Sequence, residues 1–289
     1  MVTTVVEGPM QALYGRFEDN PPRWGGTRIK LYWPGSDLND PNSLDKLKEP
    51  VICTAGFPAI SEGYEVMATA GHCAPYGAAS TPRWAWNGKS LTEGGILCAL
   101  AGCRHREVGS VWKTMAKTYS TQTQAVGNSS VVDMAWVFLH TTPAANNYGA
   151  SYYTGTSSGD VINHAQDTYP SPSTDYTGLT MCVSGATNFR SCGWKVTGRD
   201  LTVATVKGSA TGGTTQYIYT YGWRMTSTQG GCVGGGDSGG IVWFVANDGK
   251  WATAGVISSA TSELCGTSLA FATWADARIY FPSLTPKLQ

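Results

Sequence analysis

Apolar residues along this chain fall in brief clusters rather than in long periodic runs. Eight clusters, at 28–33, 51–56, 65–69, 131–139, 201–207, 217–223, 241–246 and 251–258, have strand length and are bounded by Gly, Pro, Asn or Ser. They predict β-strands joined by tight turns. Helical spacing is convincing only near the end, where Leu269, Ala272, Thr273, Ala277 and Tyr280 fall on one face, so a short C-terminal helix is expected there. Residues 1–24 mix Gly8, Pro9, Asp19, Asn20, Pro21 and Pro22 with little periodicity and read as an N-terminal extension or propeptide remnant. Residues 141–177, rich in Ser, Thr, Tyr, Asn and Pro, are expected to connect two β units.

Composition sharpens this picture. Charged residues make up 14% of the chain, whereas 36 Gly, 14 Tyr and 11 Trp accompany abundant Ser and Thr, a balance that favours an all-β protein with many turns. A length of 289 residues accommodates one or two barrels. Lys and Arg (20) balance Asp and Glu (20), so no net field draws the chain toward nucleic acid or an anionic membrane, and neither is expected as a partner. The eight cysteines, at 53, 73, 98, 103, 182, 192, 232 and 265, are an even number in separated local couples. Four disulfides and a secreted, extracellular location are the expectation. No apolar stretch reaches the roughly 18 residues of a membrane span, and Met1-Val2-Thr3-Thr4 lacks the basic start and apolar core of a secretory signal. A leader is therefore expected to have been removed ahead of it.

The strongest local signal is Gly234-Gly235-Gly236-Asp237-Ser238-Gly239-Gly240. Read as a dinucleotide loop, it needs a helix directly after it to hold the pyrophosphate, but Ile241-Val242-Trp243-Phe244-Val245 reads as a strand. Read as the nucleophile elbow of an α/β-hydrolase, it needs a histidine after the serine, and the four histidines, His72, His105, His140 and His164, all precede it. A third reading is a nucleophile loop with chain order His, Asp, Ser. A serine hydroxyl attacks an amide only when a base takes its proton, so a histidine must lie upstream and an acid between the two. Thr69-Ala70-Gly71-His72-Cys73 supplies the first, and Val131-Val132-Asp133-Met134-Ala135-Trp136-Val137 the second. A flexible glycine turn with a solvated Ser238 and a surface His72 would explain either segment alone, but not their joint order.

These motifs resemble the trypsin-like, or chymotrypsin-like, serine peptidases, most nearly the bacterial streptogrisin and alpha-lytic protease branch. Asp133-Met134-Ala135-Trp136-Val137 resembles that branch's Asp-x-Ala-Trp-Val, and Cys232 precedes Ser238 by six residues as in that branch, not by the four usual in animal enzymes. Cys182 and Cys192, followed by Gly193, are similar to its second-barrel disulfide pair. The resemblance covers residues 25–289. It implies two packed antiparallel six-stranded Greek-key β-barrels, one in 25–150 carrying His72 and Asp133, the other in 151–289 carrying Ser238 and the C-terminal helix.

The resemblance also implies roles. Ser238 is the nucleophile, His72 the base, Asp133 its orienting carboxylate, and the N–H groups of Gly236 and Ser238 form the oxyanion hole. The disulfides it implies are Cys53–Cys73, Cys98–Cys103, Cys182–Cys192 and Cys232–Cys265. The expected activity is that of a secreted, monomeric serine endopeptidase acting on proteins or peptides without cofactor or metal. Gly230 stands where trypsin-like relatives carry the pocket-base Asp, which disfavours Arg or Lys before the cleaved bond. Ser258, Ser259 and Ala260 resemble the strand that pairs with substrate backbone. The small Ala260 leaves room for an apolar or aromatic side chain at that position (P1), and Glu263 is expected to be a solvated loop carboxylate.

Two features depart from the pattern. Related bacterial enzymes place an Arg right after the second-barrel cysteine to pair with the Asp before the nucleophile, but Val183 follows Cys182 here. Arg190, Lys195 and Arg199 are the candidate partners of Asp237, whose burial would be costly unless something satisfied the carboxylate. No Ile-Val-Gly-Gly start is visible, so activation by a freed α-amino group is not expected. Competing readings are weaker. Gly266-Thr267-Ser268-Leu269-Ala270 resembles a subtilisin-like nucleophile segment, but that family's His-Gly-Thr-His context is absent. Cys98, Cys103 and His105 have metal-like spacing but fall short of four ligands. The remaining alternative is a catalytically inactive homologue that binds peptides, which would not need all of His72, Asp133 and Ser238.

Overall fold

The computed structural model describes residues 23–32, 51–74, 84–87, 106–117, 119–121, 123–124, 132–138, 148–153, 162–165, 170–171, 173–206 and 216–288. The first half contributes β1 (Arg23–Gly25), β2 (Arg28–Tyr32), β3 (Val51–Thr54), β4 (Pro58–Ser61), β5 (Tyr64–Thr69), β6 (Trp84–Asn87), β7 (Arg106–Thr114) and β8 (Ala135–Phe138). A 3-10 turn at Gly71–Cys73 follows β5. Two strands, β9 (Tyr148–Tyr153) and β10 (Ile162–Ala165), lie in the segment expected as a connector. The second half adds β11 (Thr180–Gly185), β12 (Phe189–Val206), β13 (Gln216–Ser227), β14 (Ile241–Val245), β15 (Trp251–Ala260), β16 (Ser268–Thr273), a helix α1 (Trp274–Tyr280) and β17 (Thr285–Pro286).

The chain is thus all-β with a short C-terminal helix. Strands β11, β12, β13, β16, β15 and β14 close, in that order, into an antiparallel barrel. The other large layer differs from a six-stranded barrel. Among the described residues it is an eight-stranded sheet, β17-β4-β5-β8-β7-β6-β2-β3, whose edge strand β17 comes from the far C-terminus. A third sheet, β1-β9-β10, includes a parallel pair, β1 with β9.

Strand alternation divides side chains between two cores. On β14, Ile241 and Trp243 face a cluster with Phe57, Trp136, Val256 and Trp274, while Val242 between them faces Met181, Trp194, Ile257 and Phe271 inside the barrel. A strand buried on both faces reads in sequence as a continuous apolar run, as β14 does. In the shared core Phe57 meets Trp136 and Trp274 edge-on, each at 5.8 Å between ring centroids. Each such fully buried large side chain contributes about 1.5–3 kcal/mol. The core therefore fixes the eight-stranded sheet against the barrel.

The helix starts later than its spacing suggested. Leu269, Ala272 and Thr273 belong to β16, and α1 begins at Trp274. Thr273 caps it: its Oγ1 accepts from the backbone N–H of Asp276 at 3.1 Å. The hydroxyl also donates to the Asp276 carboxylate at 2.5 Å, and Arg199 holds that carboxylate's other oxygen.

Candidate active site

His72 occupies the 3-10 turn that follows β5, where strand hydrogen bonding has ended and the chain must reverse. Its position is fixed twice. Cys73 is bonded to Cys53 on β3. The backbone N–H of His72 donates to Asp133 Oδ1 at 2.6 Å. Asp133 sits two residues ahead of β8, fully buried, and also receives the hydroxyl of Ser258 on Oδ2 at 2.6 Å. The same Oδ2 lies 2.7 Å from His72 Nδ1. Since a carboxylate only accepts, Nδ1 carries the proton and Nε2 presents a lone pair. That lone pair faces Ser238 Oγ at 2.9 Å.

The electrostatics favour charge separation here. Burial opposes charge on the His72 ring, but the adjacent Asp133 carboxylate and its hydrogen bond outweigh that and raise the imidazole above its ordinary value. Burial likewise opposes the Asp133 anion. The His72 charge, the hydrogen bonds from His72 and Ser258, and the His72 backbone N–H prevail, so the carboxyl is held below its ordinary range.

The loop 234–240 is two successive tight turns. The N–H of Asp237 returns to Gly234 O at 3.1 Å and that of Gly240 to Asp237 O at 2.8 Å. Each turn has glycine at its third position with positive φ, Gly236 at +90° and Gly239 at +88°, the backbone of a type II turn. Ser238 is the second residue of the second turn and projects toward His72. Among the described residues the N–H groups of Gly236 and Ser238 meet no protein acceptor, so both remain available to an external oxygen.

Asp237 is fully buried beneath this loop, and no cation pairs with it among the described residues. Arg199 pairs with Asp276 instead, while Arg190 and Lys195 are exposed. The carboxylate is satisfied by four donors. Oδ1 accepts from the backbone N–H of Thr187 at 2.8 Å and of Asn188 at 2.9 Å. Oδ2 accepts from Asn188 Nδ2 at 2.7 Å and from Gly234 N–H at 2.9 Å. Neutral dipoles, three from the turn between β11 and β12 and one from Gly234 of the loop itself, thus replace the expected ion pair.

A cleft of about 970 Å³ opens beside His72 and Ser238, lined also by Ser258, Ser259, Ala260 and Glu263. Ser258 turns its hydroxyl inward to Asp133, so only its backbone and its neighbours face a ligand. Gly230 lies outside the cleft, exposed in the bend after β13, and Gly234 and Gly235 line the wall instead. Glu263 is exposed on the loop carrying Leu264, and its backbone O accepts from Gly235 N–H at 2.7 Å. The Cys232–Cys265 disulfide ties these two walls, and Cys182–Cys192 staples β11 to β12. Cys98, Cys103, His105 and His140 lie outside the described residues, and His164 falls on β10. Among the described residues no group of three His, Cys, Asp or Glu side chains could hold a metal ion, and no helix is long and apolar enough to cross a membrane.

No protein-family profile matches the chain, and no curated protein matches it in sequence. Among solved structures, Thermobifida fusca protease A has a TM-score of 0.52 at 20% identity, covering 92% of this chain and 98% of that one. The fold is chymotrypsin-like. Cellulomonas bogoriensis chymotrypsin (TM-score 0.47, 18% identity, 92% of this chain and 98% of that one) and the alpha-lytic protease homolog N4 (0.46, 16%, 91% and 98%) are further similar structures. Within the chymotrypsin-like fold, His72 and Asp133 hang from ends of the eight-stranded sheet, and Ser238 precedes a barrel strand. The three meet only because the two layers pack together.

Proposed function

We propose that the chain is a serine endopeptidase that cleaves protein or peptide substrates through an acyl-enzyme on Ser238. The observation carrying this reading is the unbroken line of hydrogen bonds from Ser238 Oγ to His72 Nε2 at 2.9 Å and from His72 Nδ1 to Asp133 Oδ2 at 2.7 Å. As Ser238 Oγ bonds to the scissile carbonyl carbon, its proton passes to His72 Nε2, and Asp133 stabilises the imidazolium. The carbonyl oxygen, now an anion, accepts from Gly236 and Ser238 N–H; one such donor is worth about 100-fold to 1000-fold in turnover. Collapse breaks the carbon–nitrogen bond, and the proton on His72 goes to the departing amine. Water then repeats the sequence, giving one proton to His72, which returns it to Ser238 Oγ as the acid leaves.

We extend the reading to selectivity and setting. An apolar or aromatic P1 residue suits the small Ala260 and the nearby Leu264 and Leu269 in the cleft lining. The disulfides support a secreted, extracellular protein. We assign residues 25–150 and 151–289 to its two halves and take the monomer as the working unit. Ser238→Ala tests the central assignment: peptide hydrolysis should vanish while thermal unfolding stays within a degree or two. Retained hydrolysis would overturn it. In a panel of peptide substrates, cleavage after Leu or Phe should outrun cleavage after Arg, and the reverse order would refute the P1 assignment.

A further inference from the structure

We infer that Thr54 is a positioning residue that holds the oxyanion hole in shape from the opposite layer of the molecule. This rests on Ser238 being the nucleophile. Thr54 ends β3 in the eight-stranded sheet, fully buried, 182 residues before Gly236 in sequence. Its N–H donates to Ser238 O at 2.7 Å, and its hydroxyl donates to Gly236 O at 2.7 Å. The same Oγ1 accepts from Ala186 N–H at 2.9 Å, next to the turn that cradles Asp237. Its own carbonyl accepts from Thr69 Oγ1 at 2.8 Å, three residues before His72.

Thr54 therefore grips the carbonyls on both sides of Asp237. Those carbonyls set the orientation of the backbone that carries the two hole donors, Gly236 N–H and Ser238 N–H. Glycines at positive φ have little backbone stiffness of their own, so an outside clamp is needed to keep both N–H groups aimed at one point. The N–H half of the clamp survives any substitution except Pro. The hydroxyl half is specific to Thr or Ser.

The test uses the full chain and crosses packing against hydrogen bonding. Thr54→Val keeps the shape and removes the hydroxyl; Thr54→Ser keeps the hydroxyl and leaves a methyl-sized void. Kinetics on a peptide anilide, inhibition by a peptide aldehyde of the same sequence, and thermal unfolding are measured for each. Thr54→Val should lose about 10-fold to 100-fold in kcat with KM nearly unchanged, because a donor displaced by a fraction of an ångström fails in the transition state and not in the ground state. Its aldehyde inhibition constant should rise in the same proportion, since the hemiacetal oxygen occupies the hole. Thr54→Ser should retain wild-type kcat within about threefold even with a lower unfolding temperature. If Thr54→Val does not fold, Thr54→Ala takes the same measurements against Thr54→Ser. Wild-type kcat and aldehyde affinity in the hydroxyl-free variant, or activity that follows unfolding temperature across the set, would overturn the inference. Wild-type hydrolysis that survives Ser238→Ala would overturn the nucleophile assignment beneath it.

Discussion

Asp237→Asn probes how the nucleophile loop is held. The carboxylate accepts two hydrogen bonds on each oxygen, and three of the four come from rigid backbone N–H groups of Thr187, Asn188 and Gly234. An asparagine there must point its NH₂ at two donors. Turned toward Oδ1's place it opposes two backbone N–H groups; turned toward Oδ2's place it opposes Gly234 N–H and the Asn188 amide, which can flip to present its oxygen. The second arrangement costs less. It leaves one buried N–H unpaired, at about 1–3 kcal/mol, and weakens three charge-assisted bonds by about 1 kcal/mol each. Burying a neutral amide in place of a charge offsets part of this, leaving a net loss of about 2–4 kcal/mol. Equilibrium unfolding in urea measures it, with kcat measured alongside, since an unpaired Gly234 loosens the first turn of the loop. Arg190→Gln and Lys195→Gln serve as controls and should stay within about 0.5 kcal/mol. An Asp237→Asn variant as stable as wild type, or a control that costs as much, would refute the neutral cradle.

Other expectations follow from the same geometry. The acid limb of kcat/KM should fall as pH drops through a value above that of a free histidine, because neutral His72 is the working base and Asp133 raises its imidazole; a limb at or below the free value would contradict the coupling. The depressed Asp133 carboxyl contributes stability that is complete above its unfolded value and lost as pH falls through its folded one, so Asp133→Asn should flatten the acid side of the stability profile. Gly239→Ala should cost about 2–5 kcal/mol, because the added carbon combines positive φ with contacts to Thr54 O and Thr69 Oγ1. Gly178→Ala, with positive φ but open space, should cost about 1–2 kcal/mol; equal losses would mean that crowding at Gly239 is not felt. Thiol titration of the denatured, unreduced protein should find no free cysteine, whereas two free thiols would leave Cys98 and Cys103 unpaired.

Ser238, His72 and Asp133, the three side chains that meet at the candidate site, were legible because each lies in a short stretch whose composition has a local cause. Gly236 and Gly239 stand where turns need positive φ, and Asp133 stands just ahead of an apolar strand. All eight apolar clusters overlap strands of the fold. The boundary between β16 and α1 was not legible, because Leu269, Ala270, Phe271, Ala272 and Thr273 are all buried and carry neither period. Strands β9 and β10 escaped because their Ser, Thr, Tyr and Asn content resembles that of a connector. The supports of the site, Thr54, Asn188 and Ser258, were hidden for another reason. Each is an ordinary polar residue whose partner lies between 49 and 182 positions away, a distance that no local pattern encodes. The same limit holds at Asp237: charge is visible in a sequence, whereas a turn offering backbone N–H groups is not.

We propose Ser238, and no other serine, as the nucleophile made reactive by His72. Labelling with an organophosphorus fluoridate, followed by peptide mapping, addresses it most directly. One phosphoryl group per chain is expected, on Ser238, with uptake lost in His72→Ala. Label on Ser268 instead, or uptake unaffected by the loss of His72, would contradict it.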